Sequence, residues 1–216
     1  MRDAYHEELD SLTNALVDLA NLVGSAMGRA TTALLDSDVQ MAETVIAGDH
    51  VIDDRYHEIE ERAFALFARQ QPVATDLRVL VTSLRMVADI ERAGDLALHV
   101  AKVARRRHPA AAIPPGLRST ILEMGQVAQR IMAKAADVIA QRDVELAGEL
   151  ETDDDQMDDL HRKLFNVILG EKWEGGIESA IDVTLVGRYY ERFADHAVSV
   201  ARRVVYLVTG ERVVAD

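Results

Sequence analysis

Leu9, Leu12, Leu16, Leu19, Val23, Ala26, Ala30 and Ala33 alternate three-residue and four-residue spacings without a break. A helix brings such positions onto one narrow stripe, and the stripe needs other helices to cover it. The pattern keeps returning. Val45, Ile52, Ile59 and Leu66 keep a seven-residue period, as do Leu77, Val81, Leu84, Ala88 and Leu98 within a third segment. Leu117, Ile121, Met124, Ala128, Ile131, Ala135 and Val138 form another stripe, and Leu146, Leu150, Met157, Leu160 and Leu164 a fifth. Aromatic residues make up 5% of the chain while Ala, Leu and Val abound, which favours helix over sheet. The expected fold is all-α with six long helices. In the first of them the stripe tapers from Leu to Ala, and Gly24 and Gly28 lie in the tapered half, so a neighbour is expected to approach closely there.

Breaks in the pattern set the element limits. Asp36-Ser37-Asp38 reads as a turn with an N-cap, and Thr75 or Asp76 is placed to cap the third helix, about Asp76 to Arg107. The stretch from His108 to Gly116 holds three of the four prolines and divides the chain in half. Gln141-Arg142-Asp143 is a short joint, Gly170 to Gly176 a second break, and Gly210 ends the last helix. The domain expectation is a three-helix bundle over 1–108, a Pro-rich linker over 109–116 and a second three-helix bundle over 117–216.

The halves repeat one another. Glu91-Arg92-Ala93-Gly94-Asp95 recurs 100 residues later as Glu191-Arg192-Phe193-Ala194-Asp195. Asp49 and Asp53 recur as Asp154 and Asp158 at an offset of 105 residues, so a loop is about five residues shorter in the second half. Each half therefore carries Asp-x-x-x-Asp on its middle helix and Glu-x-x-x-Asp on its last. Residues four apart share a helix face, where like charges repel. Antiparallel neighbours can bring the two pairs face to face, and four carboxylates in a groove need cations to stay ionised. A hard metal ion would supply that charge through oxygen ligands. Arg92, Arg192, Arg78, Arg85 and Arg188 lie nearby and offer the competing balance, an ordinary surface ion pair. In the third segment Glu91 and Asp95 share the stripe of Leu77 and Val81, so both acids are expected at core-facing positions. Arg188 and Arg202 share the stripe of the second copy, where arginine competes most strongly with metal.

Other chemistry is constrained by what the sequence lacks. With no cysteine there is neither a disulfide nor a thiolate metal site. The net charge of -13 disfavours nucleic acid and anionic lipid as partners. No run of about 18 apolar residues is present to span a membrane, and the polar start of the chain resembles no signal peptide. There is no phosphate-cradling glycine loop, nucleophile elbow or triad. Asp54-x-x-His57 and Asp158-x-x-His161 do not align across the repeat and read as coincidence. The cationic run Lys102 to His108 complements a helix dipole, and the acidic run Glu149 to Asp159 reads largely as a solvated face.

Gln71-Pro72-Val73-Ala74-Thr75-Asp76-Leu77-Arg78, Asp89-Ile90-Glu91-Arg92-Ala93-Gly94-Asp95 and Glu191-Arg192-Phe193-Ala194-Asp195-His196-Ala197 together resemble the PhoU family of bacterial phosphate-uptake regulators. The resemblance runs through nearly the whole chain, the duplication included. It implies two similar three-helix bundles whose acidic motifs bind metal, with iron, zinc, magnesium or manganese in different members. By motif position that role falls on Glu91, Asp95, Glu191 and Asp195, with Asp49, Asp53, Asp154 and Asp158 as partners. It implies a cytoplasmic, often dimeric negative regulator without enzymatic activity, contacting a phosphate ABC transporter and a sensor histidine kinase. The alternative is a carboxylate-bridged metalloenzyme, a di-iron-like oxidase or a phosphatase. Leu96 stands where the second copy has His196, so the first site is expected to lack an imidazole.

Overall fold

A computed structural model describes residues 2–70 and 72–211. Gln71, the first residue of the breaker stretch, lies outside them. The chain forms six long helices: α1 (Arg2–Asp36), α2 (Val39–Gln70), α3 (Ala74–Arg107), α4 (Arg118–Gln141), α5 (Val144–Ile168) and α6 (Gly176–Thr209), with one 3-10 turn at Pro115–Leu117. Among the described residues there is no strand, and no helix is long and apolar enough to cross a membrane. The all-α expectation holds, with six helices within a residue or two of the limits read from the pattern.

The helix ends differ in detail. Asp38 accepts from the Met41 amide at the start of α2, as a cap should. Asp143 caps α5 by accepting from the amides of Glu145 and Leu146. The start of α3 departs from expectation: neither Thr75 nor Asp76 caps it. The N-cap is Val73, with no side-chain bond, and the next residue, Ala74, sits at φ +49. Gly210 closes α6 in the left-handed region at φ +78, the conformation a residue without Cβ adopts at no steric cost.

In each half the outer helix lies on the two others: α2 on α1 and α3, α5 on α4 and α6. The halves meet along α1 with α4 and α3 with α6, so four helices make the centre and two flank it. One hydrophobic cluster runs from Tyr5 of α1 to Leu207 of α6. The tapered half of α1 behaves as its small residues require, with Gly24 against Met132 and Gly28 against Gln129 of α4. Opposite them, a Cβ at Gly125 would lie 2.5 Å from Thr31 Cγ2. Thr31 is itself buried and bonded at 2.7 Å to the hydroxyl of Tyr190, a wholly enclosed phenol whose pKa burial drives upward. The Pro-rich segment is also packed, since Ala112, Ile113 and Leu117 are buried.

The α3–α6 crossing is antiparallel. Arg106 and Arg107 meet Asp182, His99 stacks near Tyr189 with ring centroids 5.2 Å apart, and Asp89 meets His196 and Arg203. The two Glu-x-x-x-Asp motifs therefore share the middle of one interface between the halves. The cationic run at the end of α3, assigned above to the helix dipole, is held by α6 as well. Arg106 and Arg107 both grip Asp182, which is 1% exposed, and Arg107 also reaches Glu178.

Candidate metal centres

The eight acids gather as two quartets, one per half. Asp49 and Asp53 of α2 face Glu91 and Asp95 of α3, and Asp154 and Asp158 of α5 face Glu191 and Asp195 of α6. The electrostatics record this proximity. The Asp49 carboxyl is raised by burial and by the charges of Asp53 and Asp95. Glu91 is raised by burial and then by Asp95, with Asp53 and Asp49 adding to it against the opposing charge of Arg92. Asp154 is pushed up to about 7 by burial, then by Asp195, Asp158 and Glu191. Glu191 is raised by burial and by Asp95's counterpart Asp195, with Asp158 behind them and Arg188 opposing. The register is the same in both halves, the two pairs meeting across antiparallel helices, so the 105-residue offset of one pair and the 100-residue offset of the other describe a single repeated geometry.

The depth of these acids is not what the stripe implied. Glu91 and Asp95 are half-buried, at the margin of the core, and the buried face of α3 runs instead through Leu80, Val87, Ile90, Ala93, Gly94 and Ala97. The stripe with Leu77 and Val81 is a boundary, because α3 packs on α1, α2 and α6 at once and its enclosed face turns toward their common centre. Asp49, Asp154 and Glu191 are likewise half-buried, while Asp53, Asp158 and Asp195 are exposed. In the acidic run, Glu149, Glu151, Asp155 and Asp159 are exposed, as a solvated face should be.

Arginine already balances part of this charge. Arg92 bridges Glu91 at 3.7 Å and Asp95 at 3.2 Å. Arg188 takes one oxygen of Glu191, whereas Arg202 is drawn to Glu151. The arginines are the exposed partners, Arg92 at 66% and Arg188 at 54% of the side chain, and they cover half-buried acids from the solvent side. Among the described residues no three histidine or carboxylate side chains converge closely enough, in this arrangement, to ligate one ion. Yet Asp154 Oδ1 and Glu191 Oε2 are buried without any hydrogen-bond partner. Orphaned carboxylate oxygens are costly in a site of reduced dielectric, and a hard cation is the partner that suits them. By that test the second half fits a metal ion more fully than the first, where Arg92 engages both acids of the motif.

The imidazole expected from His196 is turned elsewhere. Its Nδ1 lies 3.4 Å from Asp89 across the interface, and Arg203 grips the same carboxylate at 2.5 Å. Burial would raise the Asp89 pKa, but these two partners outweigh it and hold the carboxyl below the usual range. The histidine that reaches the second quartet is His161, set aside above as coincidence. It follows Asp154 and Asp158 on one face of α5, lies against Gly187 of α6, and buries an Nε2 with no partner. Burial and the Arg188 charge keep it below the ordinary histidine range, hence neutral and free to donate a lone pair. The sequence signal was the Asp-x-x-x-Asp-x-x-His spacing, which the first half lacks because Tyr56 holds the equivalent face.

A duplicated three-helix bundle with a carboxylate quartet between its outer and inner helices is a restrictive combination. The model of the PhoU domain matches this chain twice, over residues 16–104 and 121–204. The chain is 50% identical over 210 residues to the Mycobacterium tuberculosis protein named phosphate-specific transport system accessory protein PhoU homolog 2, covering 97% of this chain and 99% of that one. Against the Rhizobium meliloti PhoU homolog the identity is 32%, over 96% of this chain and 88% of the relative. The crystal structure of PhoU from Pseudomonas aeruginosa superposes with a TM-score of 0.87 at 28% identity, covering 96% of this chain and all of that one. This chain belongs to the PhoU family.

Proposed function

We propose that this protein restrains phosphate uptake and the phosphate-starvation response when phosphate is plentiful, as a metal-binding adaptor rather than a catalyst. The observation that carries the reading is similarity over essentially the full length to proteins named as accessory to phosphate-specific transport. Its partners are a phosphate ABC transporter and a sensor histidine kinase, met in the cytoplasm by a homodimer of this chain. The acids named above would hold the metal: Asp49, Asp53, Glu91 and Asp95 in one half, Asp154, Asp158, Glu191 and Asp195 in the other, with His161 added to the second. A hard divalent or ferric ion, when bound, supplies the positive charge that facing carboxylates lack. The carboxylates then tie α2 to α3 and α5 to α6, fixing the outer helices against the centre. That sets the shape of the surface offered to partners.

Removing the gene should raise radiolabelled phosphate uptake and phosphate-responsive promoter activity in phosphate-rich medium, with reversal by the intact chain. Uptake and promoter activity unchanged by the deletion would overturn the reading.

A further inference from the structure

The repeat places Arg92 and Arg192 at equivalent positions, 100 residues apart, yet they do not serve two separate sites. Both line one cleft of about 400 Å³ at the α3–α6 crossing, together with Arg188, His99 and His196. The lining holds three arginines and one carboxylate, Asp95, in a chain whose net charge is -13. We propose that this cleft binds one tetrahedral oxyanion with an exchangeable proton, inorganic phosphate, on Arg92, Arg188 and Arg192 from both halves at once.

The side chains suit that ligand. Arg192 is exposed and has no carboxylate within bridging distance among the described residues, while Arg92 and Arg188 are exposed at the guanidinium side and have further N–H donors to share with an anion without releasing their acids. Guanidinium forks match the edges of a tetrahedral oxyanion and bind it by paired, charge-assisted bonds. His99 and His196 each commit Nδ1 as a donor, to the Asp95 carbonyl oxygen and to Asp89, so Nε2 of the neutral ring is an acceptor, suited to the phosphate hydroxyl rather than to its anionic oxygens. Asp95 accepts Arg92 through Oδ2, leaving Oδ1 as an acceptor. Phosphate keeps a proton near neutral pH and can donate it there. Sulfate keeps none and meets Asp95 as an unrelieved repulsion. The net negative charge of the whole chain opposes docking on an anionic bilayer, which favours the free ion over a lipid headgroup.

Asp95 is also among the proposed metal ligands, so the test uses the full chain stripped of metal with chelator. Its outcome then does not depend on whether the quartets bind metal. Titration calorimetry with inorganic phosphate should give one site per chain, with sulfate weaker. Arg192→Ala and Arg92→Ala should each weaken phosphate by about tenfold or more, the loss expected for a charged hydrogen bond. Arg62→Ala, remote on α2, should leave it unchanged, and circular dichroism should show every variant folded. The proposal is overturned by no phosphate binding, by two sites per chain, by sulfate binding equally well, or by affinity untouched in both arginine variants. Arg192-dependent sedimentation on phosphatidylglycerol vesicles without free-phosphate binding overturns it too.

Discussion

The sharpest electrostatic conflict in the molecule sits on Asp154, whose carboxyl is raised from the ordinary 3.8 to about 7 by burial and three neighbouring acids. Because the folded-state value exceeds the unfolded one, the native protein holds a proton that the unfolded chain has already lost between those two limits. Its stability therefore falls as pH rises through that interval, and the penalty stays in full above it. Asp49, Glu91 and Glu191 are raised too and act in the same direction. Asp89 and His161 act oppositely: the depressed Asp89 value confines its effect to acid below the ordinary carboxylate range, while His161, held below the ordinary histidine range, makes stability rise with pH up to that range and offsets part of the Asp154 effect. Metal-free protein should melt lower at about pH 8 than at about pH 5, and Asp154→Asn should remove much of that difference. An unchanged slope in the variant would show that the conflict lies elsewhere. At this scale the sequence named the acids, since spacing of four is visible in it, but not their depth. It also hid Asp182, whose partners Arg106 and Arg107 lie on another helix. His161 was passed over because its counterpart is missing from the first half.

At the scale of the helix, contact between backbones decides what local preference cannot. Gly125 lies inside α4, where alanine would ordinarily favour helix by about 1 kcal/mol. Here the added Cβ meets Thr31 Cγ2 at 2.5 Å and Thr31 Oγ1 at 2.7 Å. Thr31 cannot move freely, because it is bonded to the Met27 carbonyl and to Tyr190. Gly125→Ala is therefore expected to destabilise by about 1–3 kcal/mol in urea denaturation, the usual cost of overpacking. A gain in stability would mean that α1 and α4 separate more readily than their packing implies. The helices were legible because their apolar periods are long, and Gly210 marked its end because only a left-handed residue closes α6 in that way. The start of α3 was not legible. Thr75 and Asp76 are good caps by type, yet the chain turns at Val73 and Ala74 before either can serve.

In the whole molecule, duplication has produced two related quartets on either side of one shared interface. The outer helices α2 and α5 bring half of the carboxylates, and the central pair α3 and α6 brings the other half together with the arginine cleft. The repeat was readable from matched motifs at two offsets. What it could not convey was that equivalent arginines meet in one place while equivalent acids stay apart, since that depends on how the halves are packed. The quartets also differ: Arg92 occupies both acids of the first motif, whereas the second keeps two orphaned oxygens and a neutral imidazole. Elemental analysis of protein purified without chelator tests this directly. Metal should be bound, Glu91→Ala with Asp95→Ala should lower the content per chain, Glu191→Ala with Asp195→Ala should lower it further, and all four together should abolish it. Metal content unchanged by the four substitutions, in protein that remains folded, would contradict the assignment of the quartets.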